Sequence, residues 1–117
     1  MREDGKLDYL EIPGGGLDGT KAFYASAFGW KFTDYGPTYA AFDEGLEGGF
    51  QGDAHAAPPA PLPVLYAHDL EAAQARVMAA GGIVLRSIFD FPGGRRFHFR
   101  DPAGNELAVW SEAKPQP

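Results

Sequence analysis

The candidate acid/base groups of this chain are two titratable side chains inside strand patterns. They are Glu11 in Leu7-Asp8-Tyr9-Leu10-Glu11-Ile12 and His98 in Arg95-Arg96-Phe97-His98-Phe99-Arg100. A carboxylate or imidazole fixed on a strand can take or give a proton when its pKa is tuned and a substrate proton is within reach. Other chemistries find little support. Cysteine is absent, which excludes disulfides, thiolate metal sites and cysteine nucleophiles. His55 falls in a stretch rich in alanine, proline and glycine, and His68 at a helix start, so no two histidines share metal-ligand spacing within one element. Gly14-Gly15-Gly16 lacks the Gly-Lys-Ser/Thr that would make it a phosphate loop.

Strand parity selects the neighbours of these two groups. If Leu10 and Ile12 face the helices, Leu7, Tyr9 and Glu11 face the other way. Arg96, His98 and Arg100 alternate against Phe97 and Phe99, and Glu106, Ala108 and Trp110 share one face of the last strand. Tyr39 is a further candidate from a strand over Thr38–Phe42. The candidate ligand-binding set is therefore Tyr9, Glu11, Tyr39, His98 and Trp110, stacking surfaces with a few polar groups, as in small-molecule pockets. Glu11 and His98 are its candidate acid/base groups.

The elements that must hold this set read as α+β. Phe99 to Trp110 is strand, turn, strand, with Asp101-Pro102 opening the turn and Gly104-Asn105 closing it. A first helix is expected over Thr20–Phe28, with Asp18 as N-cap, Ala22, Phe23 and Phe28 buried, and Gly29 as terminator. A strand is expected to start at Trp30-Lys31-Phe32, and others run over Thr38–Phe42 and Leu46–Gln51. After a linker at 52–62 come a strand over Pro63–Ala67, a helix over Leu70–Ala80, and a strand over Ile83–Leu85. A loop over Phe89–Gly94 then leads to strands at Arg95–Arg100 and Asn105–Ser111, and Lys114–Pro117 reads as a frayed tail. Leu17-Asp18-Gly19-Thr20-Lys21-Ala22 sits over Leu70-Glu71-Ala72-Ala73-Gln74-Ala75 at a constant offset. This makes 7–51 and 63–111 two copies of a βαβββ module within one domain, 1–117.

Composition bounds the function. At 117 residues the chain is most simply one domain. A net charge of −6 argues against nucleic acid as a partner and favours a neutral or cationic small ligand. Met1-Arg2-Glu3-Asp4-Gly5-Lys6 has no apolar run and nothing is long enough to span a membrane, so a cytoplasmic protein with no membrane partner is expected.

Five segments carry a resemblance to a known family: Glu11-Ile12-Pro13; Ala22-Phe23-Tyr24 with Phe28-Gly29-Trp30; Leu65-Tyr66-Ala67-His68-Asp69-Leu70; Ala80-Gly81-Gly82; and Asp101-Pro102-Ala103-Gly104-Asn105. In order and spacing the chain, from Leu7 to Ser111, resembles the vicinal oxygen chelate superfamily of glyoxalase I, extradiol dioxygenases and bleomycin-resistance proteins. It is most similar to the glyoxalase-like branch. The resemblance implies two βαβββ modules paired edge to edge, a curved mixed sheet around a concave pocket, and a homodimer. It also implies a divalent metal on four side chains from the first and last strand of each module. Those positions fall on Leu7, on Pro63, on Ala108 and within Leu46–Gln51, where Glu47 or Gln51 is the match. Such a set cannot hold a catalytic metal, which needs about three protein ligands. The expectation is a protein without a cofactor or metal that binds a small cationic or aromatic molecule. The alternative is a metal-independent lyase or isomerase related to lactoylglutathione lyase, with Glu11 or His98 as acid/base.

Overall fold

The computed structural model describes residues 2–114, so the expected tail lies, beyond Lys114, outside the described residues. They form two units, one of residues 9–62 and one of residues 63–114 together with 2–8.

The first unit holds β1 (Leu7–Pro13, from Tyr9 onward), α1 (Leu17–Phe28), β2 (Thr33–Asp34), β3 (Tyr39–Asp43) and β4 (Glu47–Gln51). Its strands run in the order β2-β3-β4-β1, with β1 parallel to β4 and the other pairs antiparallel. The second unit holds β5 (Leu62–Tyr66, from Pro63 onward), α2 (Leu70–Ala79), β6 (Ile83–Phe91), β7 (Gly94–Arg100) and β8 (Glu106–Glu112). Its order is β5-β8-β7-β6, with β5 parallel to β8 and the rest antiparallel. One topology is thus used twice, and both copies are βαβββ modules.

Register makes the correspondence residue by residue. Glu11 lies opposite Gly49, and Gly49 opposite Ala41. In the second module Val64 lies opposite Ala108, and Ala108 opposite His98. Glu11 therefore matches Val64, Gly49 matches Ala108, and Ala41 matches His98.

The modules are packed by different means. In the first, Tyr24 of α1 stacks on Trp30 at 4.8 Å and lies 5.2 Å from Phe50, and Phe32 and Phe42 complete a ring cluster. No residue of α1 is buried; Ala22 is exposed, and Phe23 and Phe28 are 59% and 66% exposed, contrary to expectation. Large rings reach out from the strands, so the helix makes contact through Tyr24 without approaching closely. In the second module Ala67, Leu70, Ala73, Phe97 and Val109 form a close core, with Leu65, Val77, Ile88 and Phe99 against it. Small residues let α2 settle on the sheet, burying Leu70 and Ala73.

Several boundaries differ from those expected. α1 starts at Leu17, with Gly16 as an N-cap that makes no side-chain hydrogen bond, and Asp18 lies inside the first turn. The Thr20 hydroxyl donates instead to the Gly14 carbonyl at 2.7 Å. Gly29, at φ 74°, ends the helix as expected, donating its N–H to Ala25. The strand expected to start at Trp30 begins only at Thr33, because Trp30 and Phe32 turn into the ring cluster. β6 runs on through the expected loop to Phe91, leaving Pro92-Gly93 as a tight turn with Gly93 at φ 103°. Among the described residues no helix is long and apolar enough to cross a membrane.

Candidate functional site

In the first unit the structure brings Tyr9, Glu11 and Tyr39 together. Tyr9 and Glu11 are two residues apart on β1 and so point to one face. The Tyr9 hydroxyl is hydrogen-bonded to that of Tyr39. Tyr39 lies across Gly49, where even a Cβ would overlap its ring and hydroxyl. Glycine at 49 is thus a condition for Tyr39 to lie where it does. Burial pushes the Tyr9 phenol above its ordinary pKa; the Tyr39 hydrogen bond works against this, and the charges of Glu11 and Glu47 add to it. Glu11 itself is buried, at 6% exposure.

In the second unit His98 and Trp110 share the sheet face turned away from α2, since Phe97, Phe99 and Val109 take the other. His98 is 7% exposed and sits directly opposite Ala108. Its Nδ1 is 2.9 Å from Oε2 of Glu106. A carboxylate partner places the ring hydrogen on Nδ1 and leaves Nε2 with a bare lone pair. That Nε2 is buried and has no hydrogen-bond partner among the described residues. Burial draws the His98 pKa below its ordinary value; Glu106 opposes the shift, and Arg96 and Arg86 reinforce it.

Trp110 is engaged within its unit. Its Nε1–H donates to Asp8 at 2.8 Å, and Arg2 donates to both oxygens of the same carboxylate at 2.9 and 2.8 Å. The Arg2 guanidinium lies 4.9 Å from the centre of the indole. Beside it the Tyr66 hydroxyl donates to Glu112, which pushes the phenol up to about 12 and holds the carboxyl below its ordinary range. The other histidines stand apart: His55 is exposed in the 52–62 stretch, and His68 is exposed just before α2.

Glu106 was placed on the face of Trp110 but left out of the candidate set, and Asp8, Arg2 and Arg86 were not singled out from the sequence. Glu106 had a legible signal, because it shares a strand face with Ala108, the residue opposite His98. The other three had none, since their places depend on tertiary pairing.

The family's metal positions can be tested on this geometry. Ala108 matches Gly49 by register, so the position within Leu46–Gln51 is Gly49 rather than Glu47 or Gln51. Pro63 is corrected: it alternates with Val64 and so faces the α2 side, away from Ala108. Leu7 has no counterpart in β5, which starts only at Leu62. Glycine and alanine offer no donor atom, and Tyr39 fills the space over Gly49. No group of three or more His, Cys, Asp or Glu close enough to hold a metal occurs among the described residues. The residues present do not fit the family's chelated ion.

Comparison with solved structures gives the same architecture. The fold is similar to that of an NAD-dependent benzaldehyde dehydrogenase from Legionella pneumophila, with a TM-score of 0.73 and 12% identity over 89% of this chain and 97% of that one. A Mn(II)-bound glyoxalase from Novosphingobium aromaticivorans aligns with a TM-score of 0.64 and 23% identity, over 100% of this chain but 43% of that one. Methylmalonyl-CoA epimerase from Mycobacterium tuberculosis aligns with a TM-score of 0.70 and 14% identity, over 97% of this chain and 92% of that one. Likeness at these identities is likeness of fold. Among curated proteins none matches. A family model, however, matches residues 6–109, and with the duplicated βαβββ topology this settles the family: the chain belongs to the Glyoxalase/Bleomycin resistance protein/Dioxygenase superfamily.

Proposed function

We propose that this protein binds a small organic molecule without a chelated metal ion. The observation that carries the reading is the replacement of a last-strand donor by Gly49, with Tyr39 lying over it and hydrogen-bonded to Tyr9. A side chain that reached a metal from position 49 would displace that ring. The aromatic surfaces and few polar groups of both modules suit a small ligand. Homodimeric assembly and a cytoplasmic location belong to the same proposal. The test is elemental analysis of the purified protein with melting curves in the presence and absence of a chelator, against aromatic probes such as benzoate and phenylguanidinium. The expected result is substoichiometric metal, melting unaffected by the chelator, and a probe-induced rise that survives chelation. Stoichiometric metal whose removal lowers the melting temperature overturns it.

A second reading, a metal-independent lyase or isomerase, is supported by the His98–Glu106 pair. An imidazole oriented by a carboxylate, with a lowered pKa and a bare Nε2, is a general base in its working form at neutral pH. Its activity falls as pH drops through the lowered His98 pKa, because the base is then protonated. Glu11, buried on β1, is the other candidate. Full retention of an identified activity in both His98→Gln and Glu11→Gln removes this reading.

A further inference from the structure

Arg86 stands where a regular strand would not put it. β6 has two register shifts against β7, one between Val84 and Arg86 and one between Arg86 and Phe89. Residues three apart on a regular strand point to opposite faces. Here the irregularity lets both share one: the Arg86 guanidinium lies 3.5 Å from the centre of the Phe89 ring, and that ring lies 5.7 Å from the His98 imidazole. Arg86 is also directly opposite His98 across the β6–β7 pair. Bulges that re-aim a side chain in this way are over-represented beside active sites.

We propose that Arg86 anchors an oxyanionic group, a carboxylate or a phosphate, of a small molecule whose remainder reaches His98 Nε2. The inference deepens the small-molecule reading above by naming the ligand's charged end, and it rests on that reading. A guanidinium stacked on a ring spends its face on the ring and keeps its N–H donors in the plane, the geometry that holds an oxyanion in two parallel hydrogen bonds. Stacking also fixes the fork before the ligand arrives, which lowers the ordering cost of binding. Arg86 makes no ion pair with any carboxylate among the described residues, so it needs no internal bond broken to accept one.

Two neighbours support the same end of the site. Arg96 lies 5.5 Å from the centre of Phe89 and 5.4 Å from that of Phe91, so the same rings also line up with a second guanidinium. Buried His98 Nε2, without a partner, is an acceptor waiting for a donor. An acid bearing a hydroxyl or an acidic C–H supplies both an anion for Arg86 and a hydrogen for that nitrogen. The overall charge of −6 favours a cation. At His98 the charges of Arg86 and Arg96 oppose that of Glu106, so a ligand's oxyanionic end is directed to Arg86.

The test titrates malonate and inorganic phosphate separately into wild type, Arg86→Gln and Arg86→Lys at low ionic strength. Binding is followed by calorimetry and by the 15N resonance of His98 Nε2. Wild type is expected to bind at least one probe with a shift of that resonance; Arg86→Gln weakens binding about 10- to 100-fold and Arg86→Lys recovers part of it. Selective binding of malonate assigns the site to carboxylates, and of phosphate to phosphate esters. Equal binding by wild type and Arg86→Gln, or no binding of either probe to wild type at millimolar concentration, overturns the proposal. Arg86 is exposed, so the variants are expected to keep the wild-type melting curve. A protein that holds metal and still binds malonate through Arg86 sinks the metal-free reading alone. One that is metal-free and indifferent to Arg86 sinks this inference alone.

Discussion

The two modules share every strand pairing and almost none of their packing. In the first, five rings from Tyr24, Trp30, Phe32, Phe42 and Phe50 fill the space between helix and sheet, and α1 buries nothing fully. In the second, alanines at 67 and 73 bring α2 down onto Phe97 and Val109. Hydrogen-bonded register is satisfied by backbone groups and so tolerates either filling. The same contrast holds on the opposite faces. Both last strands have a small residue at the matched place, Gly49 and Ala108. Gly49 lies beneath a phenol of β3 and Ala108 faces an imidazole of β7. Duplication preserved the frame while the side chains on it diverged toward different chemistry.

This contrast can be broken by substitution at matched places. Leu70 is fully buried, and Leu70→Ala is expected to cost about 2–5 kcal/mol in denaturant unfolding. Leu17, at the same place in the repeat, is only partly buried, so Leu17→Ala is expected to cost about 1 kcal/mol. Equal losses would mean that α1 is held as tightly as α2. A smaller effect is expected at the matched last-strand positions. Gly49→Ala forces the Tyr39 ring aside for about 1–3 kcal/mol, and the penalty shrinks in a Tyr39→Ala background. An undiminished penalty would show that Tyr39 is not what claims the space. The smallest effect concerns the helix starts. Asp69 accepts a hydrogen bond from the Ala72 N–H, so Asp69→Ala should lose about 1 kcal/mol. Gly16 has an extended backbone and open space around it, so Gly16→Ser should gain a few tenths of a kcal/mol, read as a rise in melting temperature.

What the sequence disclosed was local. The Asp101–Asn105 turn follows from residue types alone: Asp101 accepts from the N–H groups of Ala103 and Asn105, and Gly104 takes φ 92°. α2 was legible because Asp69 caps its start and Gly81, at φ 97°, follows its end. Parity put Tyr9 and Glu11 on one face, since alternation is a property of one strand, whereas the shared face of His98 and Trp110 depends on the β7–β8 register. Trp30–Phe32 misled because β-prone aromatics look the same whether they extend a strand or plug a core. The expected end of a strand at Leu85 hid Arg86, because a register shift depends on the partner strand and leaves no mark in the residues that make it. The expected burial of Phe23 and Phe28 failed for a related reason. Apolar spacing on a helix does not say how far its face lies from the sheet.

The chain passes between the units twice, at the end of the 52–62 seam of the repeat and again inside β1, between Asp8 and Tyr9. If the pieces parted after a cut at that seam, the trailing half would be left without its own first few residues. Tyr66 would lose both backbone partners, the Gly5 N–H and the Lys6 carbonyl; Trp110 would lose Asp8, and His68 the Asp4 carboxylate that its N–H donates to. Ancestry by copying thus does not yield two self-sufficient pieces. Co-expressed halves are obliged to find one another, and a protease that nicks the alanine- and proline-rich seam leaves a protein held together by the strand that crosses it.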